Sequence, residues 1–272
     1  MRYYSENQLN GLRSFHFHFI LWNIEDHVLS ITLNRPDKRN ALHPKMMHEI
    51  AFLLEYAGMS SDVWAVVIRA NGTIFCAGAD LKAMAGFIEP HSSTIPDPAL
   101  DVLLGELLGQ VHKPIISSVT GDVYAGGFFF LAGSSIVLAN EGLKFGLPEV
   151  KRGLYPFQVM SALLNVMQPR RLLDWCIRGY NLPVQKAEEY GLVTKVVRPE
   201  EMKSEVNAII DELKGNSPSA IKLGMQAYAR MQERETDHQY LYDLLQQAIS
   251  SKDGQEGLSA FREKRKPNWT GS

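Results

Sequence analysis

Phe75-Cys-Ala-Gly-Ala-Asp-Leu81 places three small residues directly after a short apolar run. A second stretch, Gly121-Asp-Val-Tyr-Ala-Gly-Gly127, repeats the arrangement after another apolar run. Small residues at the point where a chain leaves a buried strand let a ligand approach the backbone N–H groups closely. Two N–H groups aimed at one position can hold a carbonyl oxygen as it becomes an oxyanion. The two stretches therefore predict an oxyanion-binding site between two strand-to-turn junctions.

A third stretch supplies one acidic side chain. Phe145-Gly-Leu-Pro-Glu149 is apolar apart from Glu149. A carboxylate close to an oxyanion-binding site can remove a proton from a carbon of the bound carbonyl compound. The three stretches together are sufficient to move a proton alpha or gamma to a bound carbonyl group.

The sequence around these stretches alternates between strand and helix patterns. Residues 28–33 alternate apolar and polar positions, and residues 64–69 are nearly continuously apolar and β-branched, as in a strand covered on both faces. Residues 114–119 form a similar run directly before Gly121, and residues 44–56 have apolar side chains at helical spacing. This alternation predicts an α/β core built from βαβ units.

Residues 86–99 interrupt the alternation. Pro90, Pro96 and Pro98 lie in this segment with serines and a threonine between them, which predicts a loop. Because the loop follows the first small-residue stretch, it is either a flap beside a substrate channel or an ordinary surface excursion.

The pattern becomes mostly helical beyond residue 182. The predicted helices cover residues 184–190, 199–214, 217–231 and 237–249. The apolar side chains of this region need a surface to pack against. Self-association and packing on the same subunit explain them equally well.

Composition restricts the class of protein. A net charge of −2 argues against a protein that binds nucleic acid or a membrane surface through bulk charge. Cys76 and Cys176 follow no metal-ligand spacing and favour two reduced thiols, and the scattered histidines predict no metal site. No apolar run reaches the roughly 20 residues of a membrane span, and the first ten residues lack a secretory pattern. We therefore expect a soluble, cytoplasmic protein.

In this order along the chain, the three stretches resemble the crotonase family, the enoyl-CoA hydratase/isomerase group. The resemblance runs from about Phe17 to Trp269 and includes four more segments: residues 33–42, 113–114, 187–193 and 256–267. It implies an α/β fold, a crotonase-like spiral of ββα units with two nearly perpendicular sheets. It also implies an active-site core in residues 1–195 and a helical C-terminal region in residues 196–272 that forms a homotrimer or a dimer of trimers.

By the same resemblance the ligand is a coenzyme A thioester, and no other cofactor is expected. The backbone N–H groups of Ala79 and Gly126 would bind the thioester oxygen, which makes these residues and Glu149 the predicted catalytic set. Basic side chains near the substrate could meet CoA phosphates, or could merely solvate a turn. The predicted substrate-binding residues are Lys38, Arg39, Ala41, Ala77, Gly78, Phe129, Phe157, Phe261 and Lys264.

The residue at position 129 bears on the type of reaction. Typical hydratases of the family use two glutamates, and the positions that match them hold Phe129 and Glu149. Phenylalanine can neither bind water nor exchange its proton. Moving a double bond from the 3 to the 2 position needs one base, whose pKa apolar neighbours would raise towards neutrality. The resemblance is therefore closest to the 3,2-enoyl-CoA isomerases, in which an apolar residue often matches Phe129.

Two alternatives stay open at this point. The chain could be a hydratase, or another acyl-CoA enzyme, that positions water through backbone groups and Glu149. It could also be a CoA-ester-binding homologue with little activity. Asp80 lies beside the oxyanion stretch but is interpreted as the N-cap of a helix that begins near Leu81. Weaker candidates for a replacement acid are Asp122, Tyr124 and Tyr155.

Overall fold

The structure is a computed structural model that describes residues 3–232 and 238–268. Asp237, in a predicted helix, and Trp269, at the end of the resembling region, lie outside the described residues. The strands are β1 (Ile20–Glu25), β2 (Val28–Leu33), β3 (Ala65–Ala70), β4 (Ile74–Cys76), β5 (Ile115–Val119), β6 (Asp122–Tyr124), β7 (Ile136–Asn140), β8 (Lys144–Gly146), β9 (Asn181–Pro183) and β10 (Lys195–Val197).

Helices follow most of these strands. They are α1 (Glu6–Asn10), α2 (Pro44–Met59), α3 (Leu81–Met84), α4 (Leu104–Gln110), α5 (Phe128–Ala132), α6 (Phe157–Leu163), α7 (Pro169–Arg178), α8 (Val184–Glu189), α9 (Met202–Lys214), α10 (Pro218–Gln232), α11 (His238–Ser250) and α12 (Lys252–Glu263). The predicted strands at 28–33, 64–69 and 114–119 and the predicted helix at 44–56 are confirmed to within a few residues.

The strands form two sheets. The larger sheet has six strands in the order β1-β2-β3-β5-β7-β10, and the smaller has four in the order β4-β6-β8-β9. All neighbouring strands are parallel except β1 with β2 and β8 with β9. Both faces of β3 and β5 are buried, as their apolar sequences predict.

A ββα repeat generates this pairing. In each of the pairs β3/β4, β5/β6 and β7/β8, the first strand joins the larger sheet and the second joins the smaller sheet, and a helix follows. The chain therefore advances as a spiral along both sheets, which confirms the expected fold. Because β4, β6 and β8 are parallel neighbours, their carboxyl ends lie at one edge of the smaller sheet.

Residues 86–99 contain no helix or strand, as predicted. The loop is fixed to the N-terminal part of the chain and to α2. Thr94 Oγ1 accepts a hydrogen bond from the His16 N–H (2.8 Å), and the buried Ile95 carbonyl accepts one from Lys45 Nζ (2.6 Å). The part of the loop around Thr94 and Ile95 therefore lies against the core.

Two of the C-terminal helices, α9 and α12, pack on the rest of the same chain. Val206 and Ile210 of α9 join an apolar cluster on the larger sheet. Gly257 of α12 touches the backbone of Arg152, since a Cβ at Gly257 would lie 2.0 Å from the Arg152 carbonyl oxygen. The division between residues 195 and 196 stays a prediction. No helix among the described residues is long and apolar enough to cross a membrane.

Candidate active site

The three stretches singled out in the sequence follow three adjacent parallel strands. β4, β6 and β8 pair side by side, so the residues after their carboxyl ends meet at one sheet edge. Ala79, Gly126 and Glu149 come from these three ends and line one cavity of about 1290 Å³. The fold therefore brings all three predicted catalytic residues to the same cavity.

Leu42 fixes the backbone at Ala79. The Leu42 N–H donates to the Gly78 carbonyl (2.8 Å), and the Asp80 N–H donates to the Leu42 carbonyl (3.2 Å). Because N–H groups alternate in direction along an extended chain, the Ala79 N–H points away from Leu42. Gly126 is close to it, since a Cβ at Gly126 would lie 3.6 Å from the Ala79 nitrogen.

Close approach of the two segments depends on Gly78. Its φ is +86°, and a Cβ there would lie 2.6 Å from Ala125 Cβ and 2.9 Å from the Gly126 nitrogen. Ala125 itself has a φ of +51°, which is uncommon for a residue with a side chain. This strained alanine directly precedes Gly126, so the strain is located at the oxyanion-binding candidate.

Glu149 is the first residue of a 3₁₀ helix, Glu149–Arg152, that follows β8. Its Oε2 is shielded from solvent and has no hydrogen-bond partner among the described residues. Burial raises the pKa of this carboxyl to about 7, although a hydrogen bond within the residue and the positive charge of Arg152 act in the opposite direction. The direction is the one predicted from the apolar character of its neighbours.

Phe129 differs from the two phenylalanines that flank it. Phe128 and Phe130 are completely buried in the core, whereas Phe129 lines the cavity. Its ring packs on Gly105 of α4, where a Cβ would lie 3.1 Å from the ring. An apolar ring therefore occupies the wall at which a second acid was considered.

Nine of the twelve predicted site residues line the cavity: Lys38, Arg39, Ala41, Ala77, Ala79, Gly126, Phe129, Glu149 and Phe261. Gly78, Phe157 and Lys264 are not among its lining residues. Gly78 packs against Ala125 and the backbone of Gly126. The Phe157 ring packs on Tyr155, with 5.1 Å between the ring centres. Lys264 is exposed and ends α12 in the left-handed region, with a φ of +56°.

The turn that carries Lys38 and Arg39, here called the basic turn, is joined by backbone hydrogen bonds to residues 77–80, the oxyanion segment. The Ala77 N–H donates to the Arg39 carbonyl (3.0 Å), next to the bonds that Leu42 makes. The Lys38 side chain is about half exposed and lies 3.5 Å from the Asp37 carboxylate. The turn thus presents two cations at the rim of the cavity while its backbone stays fixed.

Sequence reasoning missed several lining residues. Arg35 lines the cavity and belongs to segment 33–42 of the family resemblance. Its charge, two residues after a buried strand, was the signal that could have identified it. Glu106 of α4 also lines the cavity, as does Arg152, whose Cζ lies 4.8 Å from the centre of the Phe261 ring. Side chains of α11, such as Leu245, complete one wall, and no motif marked them.

The other polar candidates have structural partners. Asp80 is the N-cap of α3, as predicted, and its side chain accepts hydrogen bonds from the N–H groups of Lys82 and Ala83. Asp122 accepts from the Tyr124 hydroxyl (3.0 Å) and from a backbone N–H, and neither residue lines the cavity. Tyr155 does line it. Among residues 3–232 and 238–268, no group of acidic, histidine and cysteine side chains is arranged to hold a metal ion.

The sequence model of the family described as enoyl-CoA hydratase/isomerase matches residues 23–272. The chain belongs to this family. The enoyl-CoA hydratase/isomerase family is named for acyl-CoA chemistry. In this member the candidate catalytic residues lie where the ends of β4, β6 and β8 meet.

Curated relatives of this family member bear hydratase names. A mevalonyl-coenzyme A hydratase of Aspergillus fumigatus is 31% identical over 251 residues, which cover 89% of this chain and 91% of the relative. A probable enoyl-CoA hydratase of Mycobacterium bovis is 31% identical over 254 residues, which cover 92% of this chain and 97% of the relative. A probable mitochondrial enoyl-CoA hydratase of Dictyostelium discoideum is 30% identical over 244 residues, which cover 88% of this chain and 86% of the relative.

A solved structure has the same fold. Carnitinyl-CoA hydratase from Mycobacterium avium superposes with a TM-score of 0.81 at 27% identity, covering 94% of this chain and all of the other. This family member is therefore an acyl-CoA enzyme of the crotonase fold. The cytoplasmic location stays a prediction.

Proposed function

We propose that this protein moves the double bond of a 3-enoyl-CoA to the 2 position, with Glu149 as the acid–base group. The state of Glu149 supports the proposal most directly: its buried Oε2 has no partner among the described residues, and its pKa is raised to about 7. A carboxyl with a pKa near the working pH can both take up and return a proton. Phe129, in the same cavity, supplies no second acid.

The proposed reaction needs no group beyond this set. The thioester oxygen accepts hydrogen bonds from the N–H groups of Ala79 and Gly126. The Glu149 carboxylate takes a proton from C2, and the electrons of the broken C–H bond delocalise to the thioester oxygen as a dienolate. The protonated Glu149 then gives that proton to C4, which leaves the double bond between C2 and C3. Substrate and product are isomers, and Glu149 returns to its starting state.

Substitution of Glu149 tests the proposal. We expect Glu149→Gln to lower the rate of 2-enoyl-CoA formation from 3-hexenoyl-CoA by roughly 100- to 10,000-fold, the range for loss of a general base. Calorimetric affinity for a saturated acyl-CoA should persist. Glu141→Gln, at an exposed position before β8, is the matched control. Full activity of Glu149→Gln would exclude Glu149 as the base.

Hydration of a 2-enoyl-CoA is the second candidate, favoured by the names of the relatives. Glu106 of α4 lines the same cavity as Phe129, so it is the candidate to position water. The deciding assay offers crotonyl-CoA and measures 3-hydroxybutyryl-CoA. Hydration as fast as isomerisation, with selective loss in Glu106→Gln, would replace the isomerase proposal. Binding without turnover of any enoyl-CoA would contradict both and favour a binding homologue.

We also propose that coenzyme A enters only as part of the substrate, with its phosphates near Lys38 and Arg39. For assembly we propose a homotrimer or a dimer of trimers. Three exposed apolar side chains of α10 support self-association: Leu223, Tyr228 and Met231. Sedimentation equilibrium would test the assembly, and a monomer at micromolar concentration would exclude it.

A further inference from the structure

Arg35 is a buried cation that connects three walls of the cavity. Its Nη1 donates to Asp80 Oδ2 (2.7 Å) and to the Ala41 carbonyl (3.0 Å), and its Nη2 donates to Glu89 Oε2 (2.5 Å). The guanidinium also lies over the Phe19 ring, with 5.5 Å between Cζ and the ring centre. One side chain thus joins the basic turn, the oxyanion segment and the loop 86–99.

The ion pair with Asp80 lies beside the oxyanion candidate. Asp80 follows Ala79 directly, and the side chains of Arg35 and Asp80 are only 5% and 11% exposed. Burial by itself would raise the pKa of Asp80, but hydrogen bonds from Arg35 and from backbone N–H groups keep the pKa below its ordinary value. Asp80 therefore carries a negative charge at neutral pH, one residue along the chain from the Ala79 N–H.

An uncompensated charge at Asp80 would oppose formation of an enolate. The dienolate carries its negative charge on the oxygen that the Ala79 N–H binds. Like charges a few ångströms apart repel strongly where little water screens them. Arg35 offsets the charge of Asp80, its more buried partner, while Glu89 is 44% exposed to solvent. The helix cap is undisturbed, because Oδ2 accepts from Arg35 while Oδ1 accepts from the N–H groups of Lys82 and Ala83.

We propose that Arg35 is a positioning residue, which neutralises Asp80 beside the oxyanion and fixes the backbone at Ala79 and Ala41. The inference rests on the proposed isomerisation. Arg35 acts through Asp80 and Ala79 and does not exchange a proton with the substrate. Glu89, on the loop, is the more exposed of the two acidic partners and has the smaller part in this role.

The test compares the wild type with Arg35→Met, Arg35→Lys and the double variant Arg35→Met/Asp80→Asn. Methionine removes the charge at similar length, and asparagine keeps the Oδ1 that caps α3. We expect Arg35→Met to lower kcat on the order of 10- to 100-fold, less than direct loss of an oxyanion donor, while KM changes less than about threefold. The double variant should regain roughly tenfold of that loss, and Arg35→Lys should fall between wild type and Arg35→Met.

The recovery in the double variant decides between neutralisation and mere structural support. If the double variant is as slow as Arg35→Met, or if Arg35→Met keeps the wild-type kcat, the proposal fails. Circular dichroism and melting curves establish that each variant is folded. Should Arg35→Met not fold, the double variant decides: a kcat within about tenfold of wild type supports the proposal, and a loss of about 100-fold overturns it.

Arg178→Met is the matched control. Arg178 also pairs with an aspartate, Asp174, and lies over an aromatic ring, Tyr180, but its side chain is 65% exposed and does not line the cavity. We expect its kcat to equal that of the wild type. A change as large as that of Arg35→Met would show that the assay reports general loss of charge.

A readout that needs no turnover separates this proposal from the proposed function. Butyryl-CoA labelled with ¹³C at the carbonyl carbon cannot isomerise, and its chemical shift reports polarisation by the oxyanion N–H groups. We expect a displaced shift in wild type, a smaller displacement in Arg35→Met and recovery in the double variant. If the wild type does not isomerise 3-enoyl-CoA but this pattern holds, only the reaction is wrong. If the wild type isomerises and the pattern is absent, only the role of Arg35 is wrong.

Discussion

Asp80 and Glu149 are two acidic residues on the wall of one cavity, each a few residues beyond the end of a strand in the smaller sheet. Their titration is displaced in opposite directions. The pKa of Asp80 is lowered, whereas that of Glu149 is raised to about 7. Since desolvation raises the pKa of both carboxyls, burial alone does not explain the opposite directions.

The difference comes from the cation. Arg35 donates directly to Asp80 Oδ2, whereas the guanidinium of Arg152 acts on Glu149 only through its charge. A carboxylate with a hydrogen-bonded cation is stabilised in its charged form and is a poor proton carrier at neutral pH. A buried carboxylate without one can exchange a proton. The pairing therefore assigns Asp80 to structure and Glu149 to acid–base chemistry.

Among the tests of this contrast, the pH dependence of kcat/KM for 3-enoyl-CoA isomerisation has the largest expected effect. Because only ionised Glu149 can take a proton, the rate should fall below a pH of about 7. A slope of one tenfold per pH unit corresponds to a loss of about 100-fold between pH 7 and pH 5. A stopped-flow or coupled assay at constant ionic strength measures it. A profile that stays flat down to pH 5, with the fold intact by circular dichroism, would remove Glu149 from the proton transfer.

Removal of the Glu149 charge should stabilise the fold at high pH. Its folded pKa of about 7 exceeds the ordinary value of 4.5, so the carboxyl stabilises the folded state below pH 4.5, and this contribution is lost as the pH rises through 7. The loss is at most about 3 to 4 kcal/mol, at roughly 1.4 kcal/mol per pH unit. We expect the stability of Glu149→Gln relative to wild type to increase by up to that amount between pH 4 and pH 8.5.

Urea unfolding at the two pH values measures this increase, and comparison between the two pH values cancels any pH-independent cost of the buried amide. Glu200→Gln, at an exposed position, corrects for the general effect of losing one negative charge. An equal stability difference at pH 4 and pH 8.5 for Glu149→Gln would contradict the raised pKa. It would also weaken the contrast with Asp80.

Features that depend on neighbouring residues in the chain were predicted well from the sequence. The N-cap role of Asp80, the strand before Gly121 and the small residues at Ala79 and Gly126 follow from rules that act over a few residues. The acidic side chain in an apolar stretch also identified Glu149 as a candidate, and the family resemblance added the spiral fold. These features could be predicted because each depends on neighbours in the chain.

Long-range contacts could not be predicted in the same way. Arg35 meets Asp80 and Glu89 across 45 and 54 residues of sequence, and no local pattern states which acids it will pair with. The wall that α11 contributes has the same origin, since its apolar stripe fits either the same subunit or a second one. Phe157 does not line the cavity, and its ring packs on Tyr155. Which of two neighbouring aromatic rings faces the cavity depends on side-chain packing, which the sequence does not state.

The difference between two substitutions of Asp80 is the smallest expected effect, and both substitutions should have the opposite sign to Glu149→Gln. Asp80→Ala and Asp80→Asn both remove the ion pair with Arg35, so both should destabilise the protein at pH 7. Asparagine can still accept from the N–H groups of Lys82 and Ala83, whereas alanine cannot. Urea unfolding should therefore find Asp80→Ala less stable than Asp80→Asn by about 1 kcal/mol, the usual contribution of an N-cap. Equal stability of the two variants would mean that Asp80 contributes only through its ion pair with Arg35. A variant more stable than wild type would mean that Asp80, like Glu149, destabilises the folded state.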